Sequence, residues 1–202
     1  MMLDRIHGSY VHKRRVRRLA ALLSERLPTA GRVLDVGCGD GLLASVLQQT
    51  RDEGALRIEG IDVLVRADAH VPVTAFDGRH IPFDDDSFDA VLFVDVLHHV
   101  DDPHQLLSEA RRVTRRSVLI KDHTLSGLFA ERTLRFMDHV GNARHGVARP
   151  YNYLSRKQWD EAFAQAGLDV VSWQTKLGLY PFPASALFDR SLHFVAELAK
   201  RA

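Results

Sequence analysis

The sequence predicts a doubly wound α/β domain, a mostly parallel sheet with helices on both faces. Three observations carry that expectation. Strand-like and helix-like segments alternate along the chain, which implies parallel pairing through right-handed crossovers. The apolar run Val33 to Val36 opens directly into a loop holding Gly37, Gly39 and Gly41, followed by a helical stretch from Leu42 to Gln49. Asp102 and Pro103 then place a cap and a first-turn proline at the start of a helix between two further apolar runs. With 202 residues, 46% of them apolar and 26% charged, the chain matches one ordinary globular core.

The elements follow in order. Val11 to Leu27 carries Val16, Leu19, Ala20, Leu22, Leu23 and Leu27 at near-helical spacing. Residues 1–27 hold seven basic side chains against two acidic ones, a local charge of +5 in a chain of net charge +1. This segment reads as a helix packed on the domain edge with a solvated cationic face. The other reading is a basic helix that meets anionic lipid or RNA, but the aromatic residues of such a platform are missing. Arg57 to Asp62, Val71 to Phe76, Phe88 to Val94 and Ser117 to Lys121 read as strands. The helix opened by Asp102 runs to about Thr114, and Leu125 to Val140 reads as another. Ser155 to Gln158 is a capping box that opens a helix to Ala166, stopped by Gly167. Leu168 to Leu177 and Leu192 to Leu198 read as two last strands. The turn-rich, helix-free connection Gly178 to Ala184 predicts that these two pair antiparallel.

Ligands on such sheets sit beyond the carboxyl ends of the strands, so the residues just after each strand are the informative ones. The glycine loop lets the backbone turn tightly and approach a ligand closely. Its spacing, Gly37-x-Gly39-x-Gly41, differs from the G-x-G-x-x-G that serves a dinucleotide pyrophosphate. Asp62 ends the second strand, where a carboxylate can accept from both hydroxyls of a ribose. Asp77-Gly78 follows the third; such a pair can accept from an exocyclic amine while the next backbone N–H serves a ring nitrogen, although alone it reads equally as a turn. Asp95, His98 and His99 follow the fourth strand, and Asp122 and His123 the fifth. A histidine oriented by a carboxylate suits a general base, which singles out His123 with Asp122, and His98 beside them. The same histidines also read as scaffold. Cys38, the one cysteine, is a small spacer in the loop rather than a reactive thiol, and no disulfide or cysteine-based zinc cluster is available. The histidine spacing fits no standard zinc signature, so no metal is expected.

Residues 33 to 123 resemble the cofactor-binding core of the class I S-adenosylmethionine (SAM)-dependent methyltransferases, in particular the methyltransferase type 11 group with its ubiquinone and menaquinone enzymes. The strings that carry the resemblance are Val33 to Gly41, Ile58 to Asp62, Phe76 to Phe83, Asp86 to Val91 and Val96 to Val100. It implies a Rossmann-like sheet of seven strands with an antiparallel C-terminal strand, and a single domain over 1–202. Within it, 1–30 would be a basic helical segment, 31–123 the SAM-binding core, and 124–202 the acceptor side with a lid loop and C-terminal hairpin. It further implies that Asp35, Gly37 and Gly39 face the methionine part of SAM, with Cys38 between the glycines. Asp62 with Val63 would hold the ribose, Asp77 with Gly78 the adenine, and Asp95 would lie at the sulfonium end. S-adenosylhomocysteine would be the product.

Residues 124 to 153 are the expected cover of the acceptor site. A long loop there gathers Arg144, His145, Tyr151 and Tyr153, aromatic faces and cations suited to an apolar or anionic small molecule. The stretch 179–188 is a second candidate wall. The expected function is methyl transfer to a small-molecule acceptor at O, N or C, by a monomer or homodimer. The alternatives are a SAM-binding protein or partner subunit without catalysis, and an NAD(P)-dependent oxidoreductase. No nucleic-acid module is visible, and no apolar run approaches the roughly 18 residues of a membrane span. The basic, polar N-terminus has no signal core, so a cytoplasmic protein without integral membrane association is expected.

Overall fold

The computed structural model describes residues 14–142 and 152–201. Seven strands form one sheet: β1 (Gly31–Val36), β2 (Leu56–Asp62), β3 (Val73–Ala75), β4 (Phe88–Val94), β5 (Thr114–His123), β6 (Leu168–Gln174) and β7 (His193–Lys200), in the spatial order β3-β2-β1-β4-β5-β7-β6. β1 lies parallel to β2 on one side and to β4 on the other, so the order reverses at β1. That reversal leaves a crevice at the carboxyl ends of the two strands, the usual ligand position in open α/β sheets. β7 runs antiparallel to both β5 and β6.

Helices cover both faces: α1 (14–24), α2 (Leu42–Gln48), α3 (Pro103–Val113), α4 (Ala130–Asn142), α5 (Arg156–Gln165) and the short α6 (Ala184–Phe188). Alternation along each strand divides the core. Leu34, Val36, Val91 and Phe93 face a layer with Leu106, Leu107 and Ala110 of α3 and Trp159 and Phe163 of α5. Val33, Ala90 and Leu92 point the other way, onto Leu19, Leu22 and Leu23 of α1 and Ala44 and Leu47 of α2. α1 thus packs on the sheet through its apolar side and leaves Arg14, Arg17 and Arg18 exposed, the first of its two sequence readings.

Caps and turns sit where the sequence puts them. Asp102 accepts from the N–H groups of His104 and Gln105 with Pro103 in the first turn, and Ser155 and Gln158 form a reciprocal capping box. Three expectations are corrected. The strand expected over Val71 to Phe76 shrinks to three residues, because β3 is an edge strand with one hydrogen-bonded neighbour. The helix expected from Leu125 begins at Ala130, since Leu125 bridges to Ser155 and Gly127 and Phe129 adopt positive φ. The connection before β7 does contain a helix, α6, although its five residues are too short for a crossover and the antiparallel pairing stands.

One close approach positions the glycine loop. A Cβ on Gly60 of β2 would lie 2.4 Å from Cys38 Sγ. Gly60→Ala is therefore expected to push the loop off β2 and destabilise the fold by about 1–3 kcal/mol, read as a lowered denaturation midpoint. Asp102→Ala, which removes only a cap, should cost about 1 kcal/mol in the same measurement.

Candidate active site at the carboxyl edge of the sheet

The loop after β1 is built from left-handed backbone, with φ of +72° at Gly37, +62° at Gly39 and +72° at Gly41. The three glycines have different reasons. A Cβ on Gly37 would lie 2.6 Å from Val96 Cγ2 and one on Gly41 2.6 Å from Val71 Cγ2, whereas among the described residues nothing lies within 4 Å of one on Gly39. Gly39 thus presents bare backbone to open space. Cys38 sits between them with its thiol pushed up to about 12, first by burial and then by Asp35 and Asp62. It is a spacer, not a nucleophile.

Asp62 ties the corner together. One of its oxygens accepts from the Gly39 N–H (2.8 Å) and the other from the Leu64 N–H (2.9 Å). Val63 beside it is exposed and borders Gly78, where a Cβ would meet Val63 Cγ1 at 3.3 Å. Asp77 is exposed and held by its own loop: Oδ1 accepts from the N–H groups of Arg79 and His80, and Oδ2 lies 2.9 Å from His80 Nδ1. Those bonds keep its carboxyl below the usual range. Asp35, at the end of β1, is buried, and its carboxyl is pushed up to about 7 by burial and by Asp62. Among the described residues this carboxyl has no cation beside it, only a second carboxylate and bare loop backbone. Such a corner favours a ligand with a positively charged group.

Across the crevice, the ends of β4, β5 and β7 meet in a buried polar cluster. Asp95 has a positive φ of 58° and pairs with both the buried Lys121 ammonium and Arg15 of α1. Burial opposes its charge, but the two cations and the neighbouring histidines hold the carboxyl well below the usual range. Asp122 accepts from the N–H groups of Leu97 (3.0 Å) and His123 (2.7 Å), and its Oδ1 lies 2.6 Å from His98 Nδ1. His123 Nδ1 is 3.3 Å from His98 Nδ1 and 3.5 Å from Asp122. Asp122 therefore orients His98 more closely than His123, the reverse of the sequence expectation. Burial and Lys121 lower the pKa of His123, which leaves its imidazole neutral at neutral pH.

Tyr153 covers this cluster, its ring stacked on His98 at 5.8 Å and edge-on to His123 at 5.9 Å. Trp159 fixes the chain behind it by donating from Nε1 to the His123 carbonyl at 3.0 Å. Arg144, His145 and Tyr151 lie outside the described residues. The geometry adds three residues that the sequence reading passed over: Arg15, Lys121 and His193. A rule that looks just after each strand misses His193 because β7 runs backwards, so its first residue sits opposite His123 at the same edge. A lysine closing the apolar run that ends at residue 121 was the other available signal.

Asp95, His123 and His193, and likewise His98, Asp122 and His123, bring donor atoms within 4.8 Å of one another. In the first set the Lys121 ammonium already lies against Asp95 and 3.3 Å from His193 Nδ1, so a side chain supplies the positive charge. In the second, Asp122 already serves the His98 ring and two backbone N–H groups.

Residues 8–173 match the profile described as the methyltransferase domain. An uncharacterized methyltransferase of Mycolicibacterium paratuberculosis is 31% identical over 170 residues, covering 76% of this chain and 66% of that protein. The chain spans 61–66% of the length of such relatives. Among solved structures, a chain of the complex between the Haloferax volcanii Trm112 methyltransferase activator and a methyltransferase superposes with a TM-score of 0.69 at 19% identity, covering 98% of this chain and 95% of that one. The 1,6-didemethyltoxoflavin-N1-methyltransferase of Burkholderia thailandensis, solved with 1,6-didemethyltoxoflavin and S-adenosylhomocysteine, gives a TM-score of 0.67 at 17% identity, covering 93% of this chain and 79% of that one. The motif-based resemblance and the Rossmann-like seven-stranded expectation are both borne out, and the chain belongs to the methyltransferase-domain family.

Proposed function

We propose that this protein transfers the methyl group of SAM to a small-molecule acceptor. The observation that carries the reading is the corner formed by Asp35, the glycine loop and Asp62, a buried carboxyl pushed up to about 7 beside backbone that lacks side chains. The cofactor's amino-acid end is a cation with room to lie against Gly39, and its ammonium would relieve the stranded carboxyl. In this reading Asp62 and Val63 hold the ribose, and Asp77 with Gly78 borders the adenine. Residues 31–123 form the cofactor core and 124–202 the acceptor side. When bound, SAM supplies an activated methyl on a sulfonium.

The chain's own residues supply alignment, dryness and a proton site. Val96 brings the β4 end against Gly37, and in this reading the methyl lies at Asp95 and faces the His98–Asp122–His123 group across the crevice. Alignment for in-line displacement and exclusion of water are the main catalytic contributions such a site makes. His123, neutral and buried, is placed to take a proton from an acceptor hydroxyl, with His98 and Asp122 positioning it. Tyr153 would contact the acceptor, together with Arg144, His145 and Tyr151, which the sequence alone assigns to it. The titratable cluster beside the methyl position favours an enzyme over a SAM-binding subunit without catalysis. Among the described residues no helix is long and apolar enough to cross a membrane.

Calorimetry with SAM, S-adenosylhomocysteine and NADH tests the cofactor. Micromolar binding of the first two, lost in Asp62→Ala, is expected; binding of NADH instead would sink the proposal. Proton linkage gives a second check. In the free protein the Asp35 carboxyl holds its proton up to about 7, well above its unfolded value, so the stability it contributes is lost as the pH rises through 7. A bound ammonium favours the carboxylate, so S-adenosylhomocysteine binding should release a proton at about pH 6 and tighten between about pH 6 and 8. A binding enthalpy independent of the buffer's ionisation heat at about pH 6 would refute that role for Asp35.

A further inference from the structure

His193 lies at the start of β7, in register with His123 across the sheet edge, and is 2% exposed. Its Nδ1 is 3.3 Å from Lys121 Nζ. Burial lowers the Lys121 pKa and the adjacent Asp95 opposes that; as an ammonium Lys121 has three donors and no acceptor, so Nδ1 offers its lone pair there. Burial, Lys121 and His123 all act against a second proton on this ring. The single proton of the neutral imidazole is thereby placed on Nε2. Among the described residues that Nε2 has no hydrogen-bond partner, although it is buried. Leaving a buried donor unsatisfied is costly, and a bound oxygen would remove that cost. Tyr180, in the connection proposed as a wall of the acceptor site, stands 5.9 Å from this ring, and the His123 ring is 4.7 Å away on its other side.

Resting on the methyltransferase reading, we propose that His193 Nε2–H is the hydrogen-bond donor for an anionic oxygen of the methyl acceptor, so that the acceptor is a phenol or enol bound as its anion. Lys121 serves as the resident cation and also fixes the imidazole tautomer. Arg15 matters because it shares Asp95: two cations divide one carboxylate, so the Lys121 charge is not fully spent on its partner. Asp122, the other carboxylate here, faces His98 and His123 instead. The sites for cofactor and acceptor then differ in sign, with the Asp35 and Asp62 carboxyls at the amino-acid end and a donor backed by a cation at the acceptor end. The inference concerns binding only.

The probe pair is 4-nitrophenol and its neutral isostere 4-nitroaniline, titrated into the protein saturated with S-adenosylhomocysteine. The phenol's absorbance reports ionisation directly. We expect 4-nitrophenol to bind as the phenolate, preferred over 4-nitroaniline by roughly ten-fold or more, the scale of one charge-assisted hydrogen bond. His193→Leu should abolish that preference while still binding S-adenosylhomocysteine. His193→Gln, which keeps a donor near Nε2, should retain most of it. Equal binding of the two probes, binding of neither, or an unchanged preference in His193→Leu would overturn the inference, as would a donor filled by water alone. If the wild-type protein fails to bind S-adenosylhomocysteine, the methyltransferase reading itself falls, which separates the two failures.

Discussion

A carboxylate held between two cations organises the functional edge of this protein. Asp95 turns the chain at the end of β4 in a left-handed conformation and accepts Lys121 from β5 and Arg15 from α1. Buried charge is tolerated only when it is compensated, so each member of the trio fixes the others. Through Lys121 the network reaches His193, and through β5 it adjoins the Asp122–His98 pair. A covering helix and the ends of three strands thus meet around one negative charge. The corner opposite, at the glycine loop, has the complementary defect, a carboxyl in Asp35 that the described residues leave without such a cation.

Much of the fold was legible because local signals and packing agreed. The apolar runs at 33–36 and 88–94 sort into two core layers, by alternation along β1 and from Ala90 onward in β4, where an irregularity between Phe88 and Ala90 shifts the phase. Asp102–Pro103 and Ser155–Gln158 announced helix starts through hydrogen bonds that need no tertiary context. The misjudged elements are those that tertiary context decides. β3 lost its ends for want of an outer neighbour, and α4 started late because residues 125–129 were drawn into a bridge with Ser155. α6 is a single short turn of helix among prolines, below what periodicity resolves.

The site divides in the same way. Asp35, the three glycines, Asp62 and Asp77 lie within or just after parallel strands, where topology alone marks them. His193 escaped because only the antiparallel pairing of β7 brings its amino end to that edge. Arg15 escaped because its charge looked like part of a solvated face, and a basic stretch does not reveal which of its members turns inward. The exchange of partner between His98 and His123 is a matter of ring geometry that spacing cannot encode.

Cys38 leads to a last consequence. The thiol that narrows the glycine loop is wedged against Gly60, among three carboxyl groups that disfavour its anion. Peroxides and alkylating agents attack the thiolate, and a sulfur held at about 12 offers almost none of it at neutral pH. The residue at the centre of the glycine loop is therefore chemically quiet, and the loop can keep its shape through oxidative episodes that would disable a protein built around a reactive cysteine.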